Sequence, residues 1–262
     1  MNMRNPNLTF VVNALKATGD TIPEAITNAE DESDRIREEV RKYRNHGYAA
    51  MASTWADAVL DGRDPAEDRE VFRAVLTNVL LEGGDLEYAA LNAVENRAVR
   101  AVADVQDDIL KRFKKAFDDA GKTLRKSFNI LGKTNIDDTT AIFQLGPVAV
   151  QAHQDAKEAR RIVRVIDNGW TGLNGLTHFA GPNPEYATRW ADPDVDTWER
   201  VRRSKDGWQM TVEGVTLDLA ISRDTINART ERLAREREER AARPAEEDRA
   251  ARINYLTGGA IK

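Results

Sequence analysis

The chain has 262 residues, 41% of them apolar and 32% charged, with a formal net charge of −5 and no cysteine. That length accommodates one large domain or two modest ones. The missing cysteine excludes disulfides, thiolate catalysis and cysteine-ligated zinc, and the interleaved acids and bases give no global pull toward nucleic acid or an anionic membrane.

The first apolar stretch, Leu8 to Leu15, is interrupted by polar residues and is too short for the core of a signal peptide. No run of about 18 apolar residues follows, so no membrane span is expected and the location reads as cytoplasmic or particle-associated. Thr21 and Glu24 have capping-box spacing, which predicts a helix from there to Gly47 as its C′ residue. A second helix is predicted from Tyr48 to Leu60. A third starts at Asp64-Pro65-Ala66-Glu67 and stops at the glycines of "LEGGD", after which Asp85 caps a fourth. Tyr88, Leu91, Val94, Ala98, Val102, Val105 and Ile109 recur at helical steps, and the stripe continues through Phe113, Phe117, Leu124, Phe128 and Leu131, with Gly121 as a point of bending or ending. A further helix is predicted from Thr139 or Pro147 to Asp167.

From Asp167 to Trp190, "DNGWTGLNGLTHFAGPNPEYATRW" reads as a long Gly- and aromatic-rich loop. After it, Trp208, Met210 and Val212 alternate, as do Val215, Leu217, Leu219 and Ile221. With Glu213-Gly214 between them, this predicts a hairpin, and residues 197–208 offer a third strand. The end, "RDTINARTERLAREREERAAR", reads as a solvated helix held by Arg–Glu pairs, with a tail after Pro244. The expected fold class is therefore mainly α: a multi-helix domain over 1–168, a loop with a small antiparallel β-hairpin or meander insert over 169–221, and a charged C-terminal helix and tail over 222–262.

Few residues point to chemistry. Two "GKT" tripeptides, at 121–123 and 132–134, lack the glycine five residues earlier that a phosphate loop needs, since Ala116 and Ser127 stand there. His46, His153 and His178 have no partner spacing for zinc, and no Ser lies in a nucleophile-elbow context. Asp192, Asp194 and Asp196 alternate like the start of a calcium loop, but Thr197 and Arg203 replace the required Gly and Glu, which leaves only a loose hard-cation candidate. No cofactor is expected. Lys111, Lys115, Lys122 and Lys126 share a helical stripe flanked by Arg125, a basic face that reads either as the solvated side of a core helix or as a phosphate-binding surface. Trp170, Phe179, Tyr186, Trp190 and Trp198 concentrate in the loop-and-hairpin region, where they read either as packing or as a partner surface. The favoured function is a non-enzymatic helical assembly or scaffold-like structural protein that associates with itself or other chains, as in a phage or other multi-protein particle. The alternative is a nucleic-acid-associated accessory protein using residues 111–126.

Overall fold

The computed structural model describes residues 5–19, 21–82, 84–182 and 184–258, with most side chains up to residue 242. The fold is mainly helical, with eleven helices among the described residues: α1 (Pro6–Ala17), α2 (Glu24–Leu60), α3 (Arg69–Glu82), α4 (Asp85–Asp104), α5 (Gln106–Leu131), α6 (Thr139–Gln144), α7 (Pro147–Thr177), α8 (Tyr186–Trp190), α9 (Val195–Val201), α10 (Gly207–Val212) and α11 (Arg223–Gly258). None of them is long and apolar enough to cross a membrane. The chain divides into two compact units, Met1–Thr9 with Thr21–Gln106, and Phe10–Asp20 with Asp107–Lys262.

The first unit is a long helical hairpin. Gly47 does not end a helix, because α2 continues through it to Leu60. A β-carbon there would lie 3.1 Å from Asn78 Oδ1, so the glycine lets α3 approach closely. Arg44 pairs with Glu87 at 3.1 Å and Glu32 with Arg97 at 2.8 Å. Numbers falling along α2 meet numbers rising along α3 and α4, so both run antiparallel to α2, α3 beside its second half and α4 beside its first. Asp64 closes only a turn by accepting from the Ala66 amide. The N-cap of α3 is Asp68, which accepts from the amides of Glu70 and Val71. The buried seam is narrow: Ile26, Ala29, Ser33, Val40 and Ala58 on α2, Val71 and Asn78 on α3, and Leu91, Val94, Ala98 and Val102 on α4. The expected cap at Asp85 concerns a side chain outside the described residues.

The second unit has a deep core around α5 and α7. The apolar stripe breaks at Val105, between α4 and α5, but Gly121 lies inside α5. A β-carbon at Gly121 would come within 2.9 Å of Leu217 Cβ, so its role is close packing rather than bending. Pro147 begins α7 as expected. That helix does not stop at Asp167, however, and runs on to Thr177 through most of the predicted loop. The reason is burial: Ile166, Trp170 and Leu173 recur at helical spacing with no exposed surface, and a β-carbon at Gly169 would overlap the Ala14 methyl. His178 ends the helix in the left-handed region, at φ 55°, its amide donating to Asn174 O at 2.8 Å.

The expected β-hairpin and meander are absent: no strand occurs among the described residues. Residues 207–212 instead form α10, because Asp206 caps the turn by accepting from the Trp208 amide at 2.9 Å. Gly214, at φ 89°, ends that helix, and the Val215 amide donates back to Met210 O. Glu213-Gly214 is thus a helix terminus, not a hairpin turn. The proposed third strand is α9, capped by Asp194 on the Thr197 amide at 2.8 Å. Val215, Leu217 and Leu219 do alternate as an extended segment, but its polar groups are met by helices rather than a sister strand. The Asp218 and Ala220 amides donate to Trp190 O and Arg189 O, the Leu219 amide donates to Asp118, and Arg125 donates to Gly214 O and Val215 O. At the C-terminus α11 continues past Pro244 to Gly258, where a tail was expected; the Ala-, Glu- and Arg-rich residues on both sides of that proline favour helix.

Candidate interaction surface

The aromatic residues singled out in the sequence converge inside the second unit. Trp170 is fully buried, its indole N–H donating to Ala220 O at 2.8 Å and its ring edge-on to Phe179 at 5.0 Å. Trp190 donates to Asp167 Oδ1 at 2.6 Å and meets Phe117 and Tyr186 at 5.7 and 5.3 Å. Arg189, itself buried, lies 4.8 Å from the Trp170 ring and 4.4 Å from the Tyr186 ring, and pairs with Asp167. Burial pushes the Asp167 carboxyl up, opposed by the Arg189 charge and the Trp190 N–H. Trp198 is buried between Arg202 and Arg237, each 5.1 Å from its ring. Of the five, only Phe179 and Tyr186 keep partial exposure. The cluster knits α7, α8 and the extended segment together, and its tryptophans are not laid out on a surface.

The basic stripe of α5 is divided. Lys111, Lys115, Lys122 and Lys126 are exposed. Lys111 pairs with Asp108 at 3.6 Å and Lys122 with Asp119 at 2.7 Å, while Arg125 is turned onto the carbonyls that end α10. The Asp119 carboxyl is held below its ordinary range by its bond to Lys122. Asp192, Asp194 and Asp196 also separate: Asp192 pairs with Arg232 at 2.6 Å, Asp194 caps α9 and Asp196 pairs with Arg240. Among the described residues no group of three or more His, Asp or Glu side chains is placed to hold a metal ion. His153 is buried with Nε2 2.8 Å from Ile136 O, and His178 is the exposed end of α7.

The feature that the sequence reading missed lies in the first unit. On α3, Phe72, Val75, Leu76, Val79 and Leu80 are exposed, Phe72 at 63%. On α2, Tyr48, Trp55 and Val59 are exposed as well, Trp55 at 53%. Counting from the Gly47–Asn78 approach at about 100° per residue, both sets centre roughly 100° round in the same sense. Because the helices are antiparallel, that places both on one side of the hairpin. Most of each stripe is free of charge: residues 48–56 (YAAMASTWA) and 74–81 (AVLTNVLL), which hold all of it but Val59 and Phe72, contain no Asp, Glu, Lys or Arg, in a chain that is 32% charged. The spacing of 72, 75, 76, 79 and 80 was readable as amphipathic, and the missing charge was readable too. What the sequence lacks is any sign that this apolar side stays exposed among the described residues.

Comparison with known protein families, with curated proteins and with solved structures finds no match to this chain.

Proposed function

We propose that this protein is a non-enzymatic assembly protein that self-associates through the apolar side of the α2–α3 hairpin, as a building element of a scaffold or multi-protein particle. The exposed, uncharged double stripe carries the reading. Its eight large side chains, each roughly half exposed, offer on the order of 800 Å² if aromatic ones present about 150–250 Å² when fully bare. Apolar patches on monomers are typically about 300–600 Å², whereas a standard interface takes about 800 Å² from each partner. A patch without charge suits a copy of itself: in a two-fold interface the same surface meets itself, and depletion of charge at its centre is what such interfaces share.

The nucleic-acid alternative through Lys111, Lys115, Lys122, Arg125 and Lys126 has less support. Arg125 is engaged with backbone carbonyls, and Lys111 and Lys122 each have a carboxylate partner on their own helix.

The cysteine-free chain allows a specific test. Val79→Cys introduces the single thiol, and a nitroxide attached there is expected to lose mobility as protein concentration rises, with dipolar coupling between chains. A label that stays freely mobile at all concentrations would overturn the reading.

A further inference from the structure

The second unit contains a cleft of about 720 Å³ between α7 and the segments that carry Tyr186 and Lys205, within the size range of small-ligand sites. One face of α7 supplies Lys157, Arg160, Arg161, Arg164 and Asn168, at the i, i+3, i+4, i+7 and i+11 positions of a single stripe. Asp167, Tyr186 and Trp190 line it beside them, so its wall belongs to the buried Arg189 network and is rigidly held.

Its charges do not cancel. Asp137 and Asp206 both bind Arg160, at 3.0 and 2.6 Å, Asp167 pairs with Arg189, and Glu158 with Arg161 at 2.6 Å. Six cations (Lys157, Arg160, Arg161, Arg164, Arg189, Lys205) thus face four carboxylates, a local excess of two positive charges in a chain whose formal charge is −5. Lys157, Arg164 and Lys205 are exposed, and no carboxylate within salt-bridge distance of any of them is found among the described residues. Lys205 Nζ sits 5.1 Å from the Tyr186 ring, which carries Arg189 4.4 Å away, so the aromatic wall orients cations and leaves the anion positions open. Arg160 is meanwhile fixed as a fork by two aspartates.

We propose that this cleft binds a small phosphorylated anion, with Lys157, Arg164 and Lys205 contacting the phosphate oxygens. A guanidinium and two ammonium groups lining one cleft beside a low-dielectric aromatic floor are the kind of donor set that phosphate requires. The site is independent of the self-association surface, which lies in the other unit.

The test is calorimetric titration of the full chain with inorganic phosphate, inorganic pyrophosphate, AMP and a short single-stranded oligonucleotide, at low and moderate salt. Pyrophosphate or AMP is expected to bind, weakening as salt rises, and Arg164→Glu/Lys205→Glu is expected to reduce the affinity at least about tenfold, a change of about 1.4 kcal/mol. Both positions are exposed, and an unchanged circular dichroism melt establishes that the variant folds. Lys111→Glu, a basic position outside the cleft, is expected to leave binding intact. Inorganic phosphate binding as tightly as AMP would assign recognition to the phosphate alone, and tighter AMP binding would add a nucleoside contact; both support the site. No binding of any small anion, binding of the oligonucleotide alone, or equal affinity in the charge-reversed variant would overturn it. Should the double variant fail to fold, Arg164→Gln alone, expected to weaken binding about threefold, carries the same decision.

Discussion

The two units handle large apolar side chains in opposite ways. In the second, Trp170, Trp190, Trp198 and Trp208 are all buried, against Phe117, Phe128, Phe179 and one another's cationic neighbours. In the first, Trp55 stands half exposed on a two-layer hairpin, with Phe72 and Tyr48 more exposed still. The difference follows from geometry. A hairpin of one helix against two has a single seam, and that seam accepts only one stripe of side chains from each helix. The short helices and extended segment of the second unit wrap α5 and α7 on several sides. Apolar residues there have somewhere to go; on the hairpin the surplus is left exposed.

Substitutions that separate these two regimes differ in size. The largest effect is expected from Trp190→Ala, which empties the core between Phe117 and Tyr186 and strips the Asp167 carboxylate of a donor: about 3–5 kcal/mol lost, read by urea denaturation. Gly169→Ala should cost about 1–3 kcal/mol, because its methyl would collide with Ala14 and press on Phe113 at 3.0 Å. A loss under about 0.5 kcal/mol in either would mean the second unit is looser than described.

Asp194→Ala should cost about 1 kcal/mol through the α9 cap. The bond from the Thr197 amide holds the Asp194 carboxyl below its ordinary range. Its ionic contribution is therefore complete above the unfolded value of about 3.9 and fades as pH falls through the lower folded value. Thermal melts of wild type and variant should differ fully at neutral pH and converge in stronger acid. A gap that instead widened in acid would contradict the cap. The smallest effect is expected from Phe72→Glu/Val79→Glu on the stability of the isolated chain, within about 0.5 kcal/mol per site since both are exposed, although the same pair should have the greatest influence on association.

How much of this was legible beforehand varied with how locally each feature is determined. Pro147 after Gly146 announced the start of α7, and Asp194 and Asp206 were present as caps to be found. The strand reading of 208–221 failed because alternation records burial on one side without saying what lies opposite. Val215, Leu217 and Leu219 do face a core, but Asp118, Arg125 and the carbonyls of α8 take the place of a neighbouring strand. The loop reading of 167–177 failed for a related reason, since Gly169 signals flexibility in isolation and close packing against Ala14 and Phe113 in context. The aromatic count pointed to the second unit, where Trp170, Trp190 and Trp198 are buried, and away from the exposed apolar side of the hairpin. The relevant signal was the coincidence of helical spacing with the uncharged runs 48–56 and 74–81, and it becomes informative only once α3 and α4 are known to share one side of α2 between them.

The central claim, that the open side of the α2–α3 hairpin is an interface between copies of this chain, is tested most directly by absolute mass from light scattering across a wide concentration range, for wild type and for Phe72→Glu/Val79→Glu. The account predicts a mass above that of one chain for the wild type, rising with concentration or fixed at a discrete oligomer, and the mass of a single chain for the variant. A wild type that stays monomeric throughout, or a variant that assembles as the wild type does, would contradict it.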